Sequence, residues 1–214
     1  MQDSRPLGVL EFSAMPKLSA QARARKIKLL LFDVDGVLTD GKLYFLPERL
    51  QTSDSQQTAQ HTAQSQIEIK GFHAHDGASI SLARIGGIET GLITKRSSDT
   101  VALRARDLKL EYIYQGVDDK RACFDAIVQK AGLQPEQAAF VGDDVIDLPA
   151  MRAGGFAVAV KNARTEVKNE AHYVTPHAGG EGALRDAVEF ILKAQGKWKR
   201  VVEEYISGRS RSVQ

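Results

Sequence analysis

From residue 67 to residue 195 short apolar runs alternate with segments of helical spacing, and this alternation limits the chain to few folds. Helical patterns fall near 77–86, 98–108, 118–131, 145–153, 164–170 and 181–195. Between them lie IETGLIT, EYIY, AAFVG, GFAVAV and HYVT, each too short for a helix and rich in strand formers. An earlier run, Lys28 to Phe32, stops abruptly at Asp33 to Gly36, as a buried parallel strand does. Short connections between alternating strands and helices predict an α/β fold, a Rossmann-like parallel sheet flanked by helices. KLYF (42–45) and IEIKGF (67–72) alternate as a partly exposed β-hairpin inserted after the first strand. The Gln-, Ser- and Thr-rich stretch 46–66 between them reads as a flexible loop. The expected organisation is an N-terminal arm and short helix over 1–25, one domain over 26–195 and a C-terminal tail over 196–214.

In a parallel sheet of this kind ligands bind beyond the carboxyl ends of the strands. Three strand patterns end there in reactive groups: FDVDG, LITKRSS and VGDDVID. Asp33, Asp35, Thr94, Asp143 and Asp144 are therefore expected to converge, with Lys120 reaching the same edge from the helix after the third strand. Clustered carboxylates repel one another unless a cation offsets their charge. An all-oxygen donor set without a His or Cys cluster favours Mg²⁺ over zinc or copper. With Thr94 donating a hydrogen bond and Lys120 supplying charge, the array suits phosphoryl transfer.

Positions i and i+2 of an extended segment face one way, so Asp33 and Asp35 can meet one substrate. One carboxylate can attack phosphorus and the other can protonate the leaving alkoxide and then activate water. Asp33, nearer the strand, is the better-fixed nucleophile. Each signal has a plainer reading by itself. D-x-D-G is also a turn signal or part of a calcium-type loop, Thr94 a helix cap, and Lys120 a solvated helix residue. Asp144 and Asp147 equally suit the N-terminus of the helix that follows them. Joint occurrence in strand order favours the catalytic reading.

Composition narrows the partners. Lys plus Arg (29) nearly balance Asp plus Glu (27) in 214 residues, which gives no electrostatic case for nucleic acid. The basic runs at 197–200 and 208–211 read as solvated surface. The single cysteine, Cys123, sits in a helical pattern and reads as a small core residue. Residues 1–25 hold no continuous apolar run, and no stretch approaches the ~18 residues of a membrane span, so the expected location is the cytoplasm.

Together these residues resemble the haloacid dehalogenase-like phosphatases: FDVDGVLTD is similar to their first motif, LIT to the second, Lys120 to the third and GDDVIDL to the fourth. DGKLYF, FHAHDGASI, TKRSSDTVALRARDL, YQGVDDK and HAGGEGALRDAVEFIL narrow the likeness to the 3-deoxy-D-manno-octulosonate 8-phosphate phosphatase subfamily, over about residues 26 to 192. The resemblance implies that Asp33 is the nucleophile, Asp35 the acid/base, and Thr94 and Lys120 the phosphate holders. It implies Mg²⁺ bound by Asp33, the Asp35 backbone carbonyl and Asp143, with Asp144 and Asp147 supporting the loop. It also implies a sugar-acid phosphate substrate in lipopolysaccharide synthesis, no large cap domain, and a homotetramer in which the hairpin and a neighbouring subunit help close the site. Arg96 and Arg104 match basic positions suited to the substrate carboxylate, Asp76 lies in a matching FxxxDG segment, and Gly179, Gly180 and Gly182 match a glycine-rich turn.

Three positions depart from the subfamily pattern: Lys95 stands where T-G-R has glycine, Ile146 where an amide is usual, and loop 46–66 is enlarged. The alternatives are a phosphatase for a nine-carbon sialic or deaminated sialic acid 9-phosphate, or a catalytically silent assembly domain. A receiver domain fits less well, because no Asp directly follows EYIYQG.

Overall fold

The computed structural model describes residues 18–47 and 66–208. The arm before residue 18, most of the enlarged loop and the last six residues lie outside them. Six parallel strands form one sheet: β1 (Leu29–Phe32), β4 (Glu89–Ile93), β5 (Tyr112–Tyr114), β6 (Ala138–Gly142), β7 (Phe156–Ala159) and β8 (Tyr173–Val174). Their order is β5-β4-β1-β6-β7-β8. β2 (Tyr44–Pro47) and β3 (Gln66–Ile69) pair antiparallel as a separate two-stranded sheet, with Tyr44 opposite Ile69 and Phe45 opposite Glu68. The α/β architecture and the hairpin both follow the sequence expectation.

β1 is the centre of the molecule because every residue of LLLF is apolar and fully buried, and burial of each such side chain contributes about 1.5–3 kcal/mol. It pairs with β4 on one side and β6 on the other. The chain builds outward through β4 and β5, then returns to the far side of β1 for β6 to β8, which makes the end of β1 the topological switch point. Asp33 leaves that point with its backbone N–H still bonded to the Val141 carbonyl of β6 at 3.1 Å.

One group of mutually packed helices contains α1 (Ala20–Ala24), α2 (Ala74–Ile85), α7 (Ala183–Ala194) and α8 (Trp198–Ile206). α4 (Lys120–Lys130), α5 (Leu148–Ala153) and α6 (Thr165–Glu170) form another, and α3 (Asp99–Asp107) joins β4 to β5. A helix over 198–206 occupies part of the expected C-terminal tail. Val201 is fully buried, and the Trp198 ring lies beneath the cationic groups of Arg185 and Lys193 at 5.2 and 5.3 Å. Cys123 is half-buried against the core on α4, and burial pushes its thiol pKa up. Among the described residues no helix is long and apolar enough to cross a membrane.

Candidate active site

The turn after β1 sets the first two carboxylates. Asp33 is in extended conformation and its side chain accepts the Val34 N–H at 2.7 Å, which fixes the carboxylate at the mouth of the strand. Gly36 follows at φ 94°, where a Cβ would lie 2.2 Å from Oδ2 of Asp143. Only glycine lets the turn after β1 come so close to the loop after β6.

Lys120 opens α4 and is almost fully buried, with its ammonium 2.9 Å from Oδ2 of Asp33 and donating to Oδ1 of Asp147 at 2.6 Å. The other oxygen of Asp147 accepts the backbone N–H groups of Asp143 and Asp144 at 3.0 and 3.3 Å. Asp147 is 0% exposed, so it is spent on organising the loop and the lysine. Asp144 is the N-cap of the short 3₁₀ turn Val145–Asp147, accepting the Val145 N–H at 2.7 Å. Thr94 is buried at the end of β4, its N–H bonded to the Tyr114 carbonyl. The switch point thus brings Asp33, Thr94, Lys120, Asp143 and Asp147 to one end of the sheet.

This crowding shifts the titrations. Burial raises Asp33 to about 6, Asp147 adds to the shift, and Lys120 opposes it. Asp143 rises further, to about 7, through burial and then the charges of Asp147, Asp33 and Asp144. Burial alone would depress Lys120, but Asp147 and Asp33 outweigh it and hold its pKa above the ordinary lysine value. Three carboxyl groups and one ammonium leave an acidic surplus.

The donor set fits a hard divalent cation. Asp33, Asp143 and Asp147 offer oxygens within 4.8 Å of one another. Oδ1 of Asp143 is buried without a hydrogen-bond partner, a costly arrangement that a metal ion would relieve. Asp147 already accepts three bonds, from Lys120 and two backbone amides, whereas each Asp33 oxygen has one partner and Oδ1 of Asp143 has none, so Asp33 and Asp143 retain more capacity to ligate.

Asp35 has a neighbourhood that the sequence did not disclose. Oδ1 pairs with the ammonium of Lys70, whose side chain is 1% exposed, and Oδ2 lies 3.5 Å from Nε of Arg96. Glu68 joins both cations, at 3.5 Å from Lys70 and 2.9 Å from Arg96. Burial would raise the Glu68 carboxyl, but bonds from Ser98, Arg96 and Lys70 hold it below its ordinary value. Glu68 and Lys70 stand two apart where the chain leaves β3, and their alternation with Ile67 and Ile69 was the available signal.

Asp76 and Arg104, the other residues expected at the substrate, have partners of their own within the chain. Asp76 is fully buried and its two oxygens accept the N–H groups of Gly182 and Arg185 at 3.1 and 2.9 Å. It caps the N-terminus of α7 from α2. Burial raises its pKa against the opposing effect of those two amides. Arg104 bonds Asp107 at 2.6 Å, stacks 5.7 Å above the Phe72 ring and lies against Gly77.

The glycine-rich turn buttresses the site. A Cβ on Gly179 would fall 1.6 Å from the Gly36 carbonyl oxygen, and the Gly180 N–H bonds the Val37 carbonyl at 3.0 Å. Of the departures, Lys95 needs no left-handed backbone, since Lys109 is the only non-glycine residue with positive φ among those described. Its side chain is exposed near Asp118. Ile146 is exposed on the 3₁₀ turn.

The profile of the haloacid dehalogenase-like hydrolases matches residues 9–185. The 3-deoxy-D-manno-octulosonate 8-phosphate phosphatase KdsC of Escherichia coli K12 is 38% identical over 176 residues, covering 82% of this chain and 85% of that protein. A crystal structure of the Moraxella catarrhalis phosphatase of that name, in complex with magnesium, phosphate and KDO, superposes with a TM-score of 0.75 at 32% identity, over 87% of this chain and 97% of that one. The Yersinia pestis phosphatase gives a TM-score of 0.73 at 35% identity, over 84% and 88%. The chain belongs to the haloacid dehalogenase-like hydrolases.

Proposed function

We propose that the protein is a Mg²⁺-dependent phosphomonoesterase that hydrolyses 3-deoxy-D-manno-octulosonate 8-phosphate to Kdo and inorganic phosphate, a step of lipopolysaccharide synthesis. The observation that carries this reading is the buried Asp33–Lys120–Asp147 chain beside Asp143 at the switch point. The identities of the similar proteins supply the substrate.

In this reading the Asp33 carboxylate attacks phosphorus as the ester oxygen–phosphorus bond breaks, and Asp35 gives its proton to the leaving C8 alkoxide. Asp35 then takes a proton from water, which attacks the aspartyl phosphate and releases inorganic phosphate and free Asp33. Lys120 and Thr94 hold the phosphoryl oxygens, while Asp144 and Asp147 hold the loop that carries Asp143. Arg96, half-exposed beside Asp35, receives the sugar-acid carboxylate. Mg²⁺, held by Asp33, the Asp35 backbone carbonyl and Asp143, neutralises charge on the phosphoryl oxygens when bound.

We place the catalytic domain at 26–195, in a cytoplasmic homotetramer. Tyr44, Leu46, Ile67 and Ile69 share one face of the hairpin and are each 43–52% exposed, an apolar face that a neighbouring subunit would cover.

Phosphate release from the eight-carbon substrate and from nine-carbon sialic and deaminated sialic acid 9-phosphates tests the specificity. The expected result is a higher kcat/KM for the eight-carbon ester; a nine-carbon preference would overturn it.

The metal assignment predicts a pH-dependent signature. In the metal-free protein Asp143 has a folded-state pKa raised from 3.8 to about 7, so its contribution to stability falls as pH rises through that window. In EDTA at pH 8, Asp143→Asn should therefore be more stable than wild type by about 2 kcal/mol, allowing for partial solvent screening. The gain should shrink as pH falls through the window. Added Mg²⁺ should stabilise wild type and not the variant. Urea unfolding at pH 5 and pH 8 measures both effects, and equal Mg²⁺ stabilisation of the two proteins would count against the assignment.

A further inference from the structure

Among the described residues, Lys70 is the one strongly buried cation near the site to which the mechanism above gives no role. Its side chain is 1% exposed, and the ammonium is neutralised by Oδ1 of Asp35 and by Glu68 at 3.5 Å. Leaving such a buried charge unpaired would be strongly destabilising, so this pairing ties the segment after β3 to Asp35. Each Asp35 oxygen meets a different cation, Oδ1 the sealed Lys70 and Oδ2 the more exposed Arg96 at 3.5 Å. Arg96 is 45% exposed and can turn to a ligand; Lys70 has no comparable freedom.

We propose that Lys70 is a positioning residue for the acid/base step: it holds Oδ1 of Asp35 so that Oδ2 faces the leaving oxygen. The proposal rests on the phosphatase reading above. Hairpin placement and proton transfer are then coupled, because Lys70 lies one residue beyond β3 while Asp35 lies in the turn after β1. A lysine that merely anchored the hairpin would leave the chemistry indifferent to the leaving group.

Two substrates separate these roles. An alkyl phosphate, here the eight-carbon sugar-acid ester, loses a strongly basic alkoxide and needs the proton from Asp35. p-Nitrophenyl phosphate loses a stable phenolate and does not. Since kcat/KM reports steps through breakage of the ester bond, it isolates the acid role from later hydrolysis of the aspartyl phosphate.

Lys70→Met should lower kcat/KM for the sugar ester by about 100-fold, within the range of a general-acid contribution, and for p-nitrophenyl phosphate by less than about threefold. In an Asp35→Asn background the same substitution should add little to either loss. If Lys70→Met does not fold, Lys70→Arg keeps the charge and moves its geometry, and the same leaving-group selectivity is expected from it. Equal losses on both substrates, no loss on either, or additive losses with Asp35→Asn would overturn the proposal. Wild type and Asp33→Asn, assayed alongside, keep the two ideas apart: if wild type turns over neither ester the phosphatase reading itself fails, and if Asp33→Asn retains turnover its aspartyl-phosphate mechanism fails.

Discussion

Asp33→Asn should lower turnover of any phosphomonoester by at least about 10⁴-fold while the protein stays folded. The substitution preserves shape and the carbonyl oxygen that accepts the Val34 N–H, so the turn after β1 keeps its anchor. Lys120 retains Asp147 at 2.6 Å and is not left unpaired. Asp33 is also a buried acid whose pKa burial raises to about 6, so removing its charge relieves the apo protein. The loss is therefore chemical: an amide does not displace an alkoxide from phosphorus. Phosphate release with Mg²⁺ measures the rate, and acid quench followed by peptide mass analysis locates the phosphoryl group. Turnover within tenfold of wild type would remove Asp33 from the nucleophile's role and with it the proposed mechanism.

What the sequence disclosed and what it withheld divide along the range of the interactions involved. LLLF followed by D-V-D-G carries its own structure, because an apolar run of that length has to be buried and a glycine at positive φ has to end it. Thr94 and Asp143 follow the flanking strands in the same manner, so a sheet topology suffices to bring them to Asp33. Lys70 pairs with a residue 35 positions earlier, across the enlarged loop, and no local pattern encodes that contact. The capping bond of Asp76 is hidden for the same reason: D-G in a polar stretch suggests a turn or a ligand, whereas its burial depends on α7 docking from 106 residues away. The helix at 198–206 is obscured by KWKR and by a pair of glutamates, and only packing on α2 and α7 shows that Val201 and Trp198 belong to an inward stripe.

Lys120→Met should destabilise the protein by about 3–5 kcal/mol at pH 8, the cost of removing one partner from a buried ion pair. The ammonium lies between Asp33 at 2.9 Å and Asp147 at 2.6 Å, and neither carboxylate has solvent to replace it. Methionine fills the space and leaves both charges, with Asp143 close by. Even with Lys120 present Asp33 is raised from 3.8 to about 6, and losing the lysine removes the main effect opposing that rise. An acid whose folded-state pKa lies above its unfolded value costs stability at high pH and ceases to do so as pH falls towards the unfolded value. The deficit should accordingly be full at pH 8 and shrink towards pH 5 as the crowded carboxyl groups take up protons. Mg²⁺ should recover part of the stability but little activity, because a phosphate-binding charge worth roughly 10²–10³ in rate is gone. Urea unfolding at both pH values in EDTA, with phosphate release in Mg²⁺, separates the two roles. A deficit independent of pH would mean that Lys120 stabilises α4 through packing, and the electrostatic account of the site would have to be abandoned.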